Sequence, residues 1–439
     1  IRIELPKGGY APVFVDNLEE EKSRITGNTQ AATTSGPAEI HEPSIAVFAL
    51  EALGPGEPNS IIAEGLTSEL LVALTRFAGL SIIGPLSTSA QPPLQLKNIY
   101  QEFGALFVLR GWIQTHQQHA RINMELVETT SGKSQWARSF DFDLDKTSLF
   151  EIQDSIVSLV AGSVADSVGT VFRRLDSEGY PSHIKFSDNN KALMCYHHAW
   201  VTHSPDDWKR AKQELEKALQ KHPENALACA LLGNVHYADA LHELGLDPNS
   251  TKKLRTLTNK AIALDSSLQV AHYNKVVVNA LFGNAEACVN AARKTVAMNP
   301  NHARILAGSA FAVTSVGAYD LGRDLIERAK QLNPQFPGYY FFVDFIINSQ
   351  QKRFEEAWEN AQVFYAPGLL WQPLFRASAL GQLGRSREAR PFLDELLQIK
   401  PKFLQRPKEC IRLLCVADEH VETIWEGLLR AGIGQMGSE

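Results

Sequence analysis

No stretch of this sequence holds 18 or more consecutive apolar residues, so no segment is long and apolar enough to span a bilayer as a helix. Cysteine is scarce: Cys195, Cys229, Cys288, Cys410 and Cys415 are five, an odd number, and no two stand in C-x-x-C spacing. That excludes a disulfide framework and zinc-ribbon spacing, and leaves no metal or redox cofactor to expect. Thiols scattered through helical patterns are expected to be reduced and buried, in a cytoplasmic protein. An excess of basic charge is missing too. With 43 Lys and Arg against 49 Asp and Glu, the net charge is −6, which argues against a broad nucleic-acid footprint. No Gly-x4-Gly-Lys-Ser/Thr loop appears, so a P-loop nucleotide site is excluded. A secretory signal is lacking, and the chain opens on Ile1 rather than Met, from which we expect a natural start further upstream.

What is present divides into three regions. Residues 1–15, IRIELPKGGYAPVFV, alternate apolar and polar around Lys7-Gly8-Gly9 and read as a hairpin. Residues 16–43 have no apolar periodicity and read as a flexible linker. Residues 44–175 carry strand and helix signals in alternation. SIAVFAL from Ser44 to Leu50 reads as a buried strand, and Ile61 to Phe77 as an amphipathic helix. Leu80 to Ile83 is a short strand and Asn98 to Phe103 a short helix. Ala105 to Gln114, Ala120 to Glu128 and Ser134 to Asp141 form an antiparallel meander. One long helix from Leu149 to about Leu175 leads out, and the whole is a small α/β sandwich.

Residues 189–402 are helical with a period. The sets Ala211-Leu215-Ala218-Pro223, Leu254-Thr258-Ala261-Ser266, Cys288-Ala292-Thr295-Pro300, Gly322-Ile326-Ala329-Pro334 and Ala389-Leu393-Leu396-Pro401 share one spacing of small, apolar, small and turn residues. The last position advances by 34 from Ser266 to Pro300 and again to Pro334, while the step from Pro223 to Ser266 is 43, an insertion near Leu241 to Thr251. Turn glycines at Gly283, Gly317 and Gly384 keep the register, and Ala357, Ala361 and Phe364 belong to a divergent unit. Small residues let helices approach and Pro punctuates each turn. A single unit cannot bury its own apolar face, so about six units must stack, with residues 403–432 as capping helices.

This third region resembles the tetratricopeptide repeat family. The middle region resembles the TolB-like amino-terminal domain that precedes such repeats in bacterial signalling and regulatory proteins. The resemblance is carried by Ser44-Ile45-Ala46-Val47-Phe48, Ala63-Glu64-Gly65-Leu66-Thr67-Ser68-Glu69-Leu70, Phe107-Val108-Leu109-Arg110-Gly111, Gln135 to Asp141 and Phe150 to Asp154, with Ala49-Leu50 where that family has Pro-Phe. It implies an α+β architecture, sandwich then all-α solenoid, and no catalytic residues. Residues 1–14 are similar to the wing of a winged-helix regulator, which implies no base-reading helix in this chain.

Candidate chemistry is thin. Gly432-Ile433-Gly434-Gln435-Met436-Gly437 spells G-x-G-x-x-G but follows a helix rather than a strand, so it is no dinucleotide site. His197 and His198 point about 100° apart on a helix and, with His203, read as packing or surface residues rather than metal ligands. Asp141, Asp143 and Asp145 lack the Gly and closing Glu of a calcium loop. Glu64, Glu69 and Asp154 have no visible partner to shift them into acid–base roles. The informative surface is the groove lined by the first helix of each unit, where the register places Trp200, Asn234, Tyr237, Tyr273, Asn274, Phe311, Phe342 and Trp371. Mostly aromatic, these should accept an apolar or aromatic peptide face, with Asn234 and Asn274 bonding its backbone.

The sequence therefore reads as a non-enzymatic scaffold or regulatory module binding a protein or peptide through the repeat groove, the α/β domain serving as sensor or homodimer element. Membrane insertion and specific nucleic-acid binding are not expected. The alternatives are a winged-helix transcription regulator lacking its recognition helix and the non-catalytic arm of a cyclase-like signalling protein.

Overall fold

The computed structural model describes residues 43–53, 57–86, 96–177 and 186–436. The expected hairpin over 1–15, nearly all of the linker and the tail after Met436 lie outside the described residues.

Strand β1 (Ser44–Phe48) is buried along its whole length, because both faces are covered. Ile45 and Val47 face one core with α1 (Glu57–Leu74) and α3 (Leu149–Val164), while Ala46 and Phe48 face Ile99 of α2 (Leu96–Phe103). On either side of β1 run the parallel strands β3 (Ser81–Leu86) and β4 (Phe107–His116). From β4 an antiparallel meander continues through β5 (His119–Glu128) to β6 (Ser134–Asp143), giving the order β3-β1-β4-β5-β6. A three-residue strand that the sequence reading missed, β2 (Glu51–Leu53), pairs with β4. The first helix also begins earlier than expected, at Glu57 rather than Ile61.

The expected helix from Leu149 to Leu175 is two helices. A capping box fixes its start: Glu151 N–H donates to Ser148 Oγ at 3.2 Å and Ser148 N–H to Glu151 Oε2 at 2.8 Å. After Val164 the chain turns around Asp166, whose side chain accepts from Val168 N–H at 2.9 Å, before α4 (Thr170–Ser177) resumes. A 3.6-residue apolar pattern runs through both helices, which is why the break is invisible in periodicity.

Six helical hairpins follow in succession. They are α5 (Asp188–Thr202) with α6 (Pro205–Lys221), α7 (Ala226–His242) with α8 (Ser250–Leu264), α9 (Gln269–Leu281) with α10 (Ala285–Met298), α11 (Ala303–Ser315) with α12 (Tyr319–Leu332), α13 (Phe341–Gln350) with α14 (Phe354–Val363), and α15 (Trp371–Gln382) with α16 (Ser386–Ile399). The periodic small and apolar residues form the seams: Ala211, Ala218, Leu254, Ala261, Cys288, Ala292, Ala329, Ala357 and Ala389 are all wholly buried. Gly283, Gly317 and Gly384 each turn with positive φ, and Lys352 takes that conformation at φ 59° where the divergent unit has no glycine. Phe364 falls just past α14 in extended backbone rather than on the helix. Helices α17 (Pro407–Arg412) and α18 (Asp418–Ala431) close the array. Ser378 Oγ of α15 donates to the Ile424 carbonyl of α18 at 3.1 Å, and a Cβ on Gly381 would collide with the Gly427 backbone.

The α/β part packs on the side of this array through the end of α3. Ser163 Oγ donates to the Leu332 carbonyl at 3.1 Å, and a Cβ on Gly162 would lie 2.9–3.2 Å from Leu332 and the Asn301 carbonyl. Close backbone approach there needs a residue without a side chain. We predict that Gly162→Val destabilises the protein by about 1–3 kcal/mol, the usual cost of overpacking a tight contact. A lowered urea midpoint by circular dichroism checks this, and an unchanged midpoint would show the contact to be loose.

Candidate functional site: an aromatic chamber around Arg304

The first helices of the hairpins meet around a cavity of about 80 Å³. Trp200, Tyr237, Tyr273, Phe311 and Trp371 of the expected groove all line it. The other three expected residues do not. Phe342 is core, its ring 4.1 Å from Phe311 and 5.8 Å from Phe375. Asn234 and Asn274 are wholly buried and already committed. Asn234 Nδ2 donates to Asn274 Oδ1 at 3.0 Å, and Asn274 Nδ2 donates to the Ala230 carbonyl at 2.7 Å. Asn234 Oδ1 in turn accepts from Tyr196 Oη at 2.7 Å and Trp200 Nε1 at 3.2 Å. Both amides tie α5, α7 and α9 together and are not available to a peptide backbone. Burial of polar groups demands such partners, and two asparagines on adjacent inner helices supply one another.

Sequence reasoning missed the residue that dominates the chamber. Arg304, near the start of α11, is 7% exposed. Its Nη2 donates to Tyr196 Oη at 3.0 Å and Asn234 Oδ1 at 3.4 Å, and its guanidinium lies 4.6 Å from the Trp200 ring centroid and 5.7 Å from that of Tyr196. Among the described residues no carboxylate stands within ion-pair distance of it. A signal existed: one 34-residue period earlier the same place holds Val270, and the insertion-adjusted step before that reaches Leu227. A basic residue where the other units are apolar is out of pattern.

Arg304 also borders a second cavity, of about 380 Å³, between the repeats and the α/β domain, together with Phe77, Phe172, His197, Asn299 and His302. There Asp166 is wholly buried and fully engaged: Oδ2 accepts from His302 Nδ1 at 2.7 Å and from Arg304 N–H at 3.0 Å. Burial alone would raise its carboxyl, but His302 and the two backbone N–H donors hold it below the usual carboxylate range.

The three histidines considered as metal ligands are dispersed. His197 packs 4.2 Å from the Phe172 ring, His198 Nδ1 pairs with Asp176 at 2.6 Å, and His203 lines the chamber in a left-handed helix cap. No group of three or more His, Cys, Asp or Glu among the described residues could hold a metal ion. Asp141 and Asp143 pair with Arg121 and Lys146 on the surface.

Burial pushes His197 and His242 down to about 3 and His203 to about 4, Arg304 adding repulsion at His197 and His203, and His203 at His242. Neutral His242 also serves as an acceptor, since Trp371 Nε1 donates to its Nδ1 at 3.2 Å.

No family model matches the chain. A relative named "Putative adenylate cyclase 3" from Rhizobium meliloti (strain 1021) is 25% identical over 263 residues, 57% of this chain and 43% of that protein. The chain thus spans less than half the length of that relative. Among solved structures, a tetratricopeptide repeat protein from Parabacteroides merdae ATCC 43184 is 16% identical over 55% of this chain and 98% of its own, with a TM-score of 0.32. Yeast Tom70 is 14% identical over 64% of this chain and 70% of its own, also with a TM-score of 0.32. At these scores the helical-repeat architecture rests on the hairpins themselves.

The depressed histidines set an acid limit. In the unfolded chain they titrate near 6.5, so acidification protonates the unfolded state first. Their stabilising contribution is complete above pH 6.5 and is lost as pH falls towards 3–4. We predict an unfolding free energy, read from urea titrations, that is flat from pH 8 to 7 and falls steadily from pH 6.5 to 4, by up to about 1.4 kcal/mol per pH unit for each such group. A value that rises on going from pH 7 to 5 would contradict these environments.

Proposed function

We propose that this chain is a non-enzymatic regulatory interaction module, whose repeat array takes a segment of another polypeptide across the chamber and whose α/β domain is coupled to that event. The observation that carries this reading is the gathering of Trp200, Tyr237, Tyr273, Phe311 and Trp371 from five different hairpins around one place. Concave surfaces built from several repeats are where such arrays bind extended partners. Phe311 is half-buried, and Tyr365, 63% exposed, adjoins Ala366 in the chamber wall. An aromatic at that exposure is a natural anchor for a partner chain, and the buried asparagines contribute only framework.

A second reading, the non-catalytic arm of a cyclase-like signalling protein, is favoured by one observation: the relative named as an adenylate cyclase matches this chain over 43% of its own length. The two readings are compatible, since a sensory arm also works by contacting another domain or protein.

The test uses the full chain as bait, with the partner identified by cross-linking and then purified. Tyr365→Ser and Phe311→Ala should each weaken binding about tenfold, on the scale of an aromatic anchor lost from an interface. Tyr365→Ser, being exposed, should leave the melting temperature within a few degrees. Normal binding by both variants would place the partner surface elsewhere.

A further inference from the structure

Burying a cation usually requires a carboxylate beside it, because an uncompensated buried charge costs several kcal/mol. Arg304 has none. Its side-chain hydrogen bonds to described residues all leave from Nη2, towards Tyr196 and Asn234, and two aromatic faces add to its stabilisation. Its remaining N–H donors are without a hydrogen-bond partner among the described residues. The nearest acid of consequence, Asp166, spends its oxygens on His302, Val168 N–H and the Arg304 backbone.

The same chamber collects other polar atoms with nothing to bond. Tyr340 Oη and His203 Nδ1 are buried and have no hydrogen-bond partner among the described residues, and both residues line the cavity. The Tyr273 and Tyr339 hydroxyls also lack a partner among the described residues, and burial raises both phenols, Tyr273 to about 12, so each stays protonated and able to donate. A buried polar atom without a partner calls for an explanation, and a ligand that bonds it is one. The rest of the wall is apolar, from Leu241, Ala307, Ile326 and Val343 to the aromatic rings. Gly308 makes room for the arrangement: a Cβ there would stand 2.5 Å from the Tyr273 hydroxyl.

We propose that the chamber is a binding site for a small monocarboxylic acid with an apolar or aromatic body. The carboxylate takes the free donors of Arg304, whose planar fork matches two oxygens, together with a tyrosine hydroxyl. The body lies against Trp200, Tyr237 and Phe311. A volume of about 80 Å³ is several times the ~10–15 Å³ that one water needs, and too small for a length of polypeptide. A single buried guanidinium balances one negative charge, which favours a carboxylate over a doubly charged phosphate. This inference stands on the chamber alone and holds whether or not a polypeptide lies across it.

The experiment titrates the full chain with benzoate, phenylacetate, indole-3-acetate and hexanoate, each beside its amide, and with phenyl phosphate. Calorimetry reads binding, and the fluorescence of Trp200 and Trp371 reports the chamber. At least one acid should saturate with a Kd of about 1 mM or tighter, its amide binding at least tenfold more weakly. Arg304→Lys, which keeps the charge but loses the fork, should weaken that acid about tenfold or more, and Tyr339→Phe a few-fold. If Arg304→Lys does not fold, Tyr339→Phe and the acid–amide ratio decide. Absence of saturable binding across the panel, equal affinity for acids and amides, tighter binding of phenyl phosphate than of any acid, or unchanged affinity in both variants would overturn the assignment. No polypeptide enters the assay, so its failure is separate from any failure of the interaction reading.

Discussion

Arg304 is the charge around which the centre of this molecule is arranged. Taking a guanidinium out of water is costly, and the cost falls only if aromatic faces and hydrogen-bond acceptors replace the lost solvent. Trp200 and Tyr196 offer the faces, and Tyr196 Oη and Asn234 Oδ1 the acceptors. Those acceptors must themselves be held, so Asn234 leans on Asn274 and Asn274 on the Ala230 carbonyl. One buried cation thereby dictates side chains on the three inner helices that precede its own. Remove the amide relay and the charge loses its seat; remove the charge and two donors, Tyr196 Oη and Trp200 Nε1, still share one Asn oxygen.

The seat can exist only because neighbouring helices approach closely. Wholly buried Ala211, Ala261, Cys288 and Ala389 set the spacing within hairpins, and Gly308 lets the Tyr273 ring lie against α11. The same device joins the α/β domain to the array at Gly162 and Ser163. Small residues here are not weak packing. They are the condition for large aromatic residues to meet in the middle, since volume must be conserved across a close-packed interior.

Much of the architecture was legible because it follows from period. Alternation marked the meander, and the 34-residue spacing of small and apolar residues marked the hairpins. What escaped has physical reasons. The break at Asp166 leaves the apolar stripe intact on both sides, so no periodicity announces it. Strand β2 is three exposed residues held by pairing with β4, a long-range fact. In the site, register located the inner helices and brought five of eight chosen residues to one cavity. Register does not tell whether a polar residue faces the groove or a neighbouring helix, and Asn234 and Asn274 face each other. Arg304 was readable only as an exception, a cation at a place where Leu227 and Val270 stand in earlier units.

The position of Arg304 along the chain matters as much as its side chain. Its backbone N–H is fixed by Asp166, a residue of the turn between α3 and α4, while its guanidinium lies over Trp200 and bonds Tyr196. The Asp166 bond fixes where the side chain starts, so the reach of the guanidinium is measured from the α3–α4 turn. That carboxylate is held low by His302 and by two N–H donors. The arginine and the α/β domain therefore share one constraint. A shift of the α3–α4 turn moves the main chain from which the guanidinium reaches its partners. Coupling of two sites requires a physical element that both can bias, and Arg304, which lines both cavities, is a residue placed to be one.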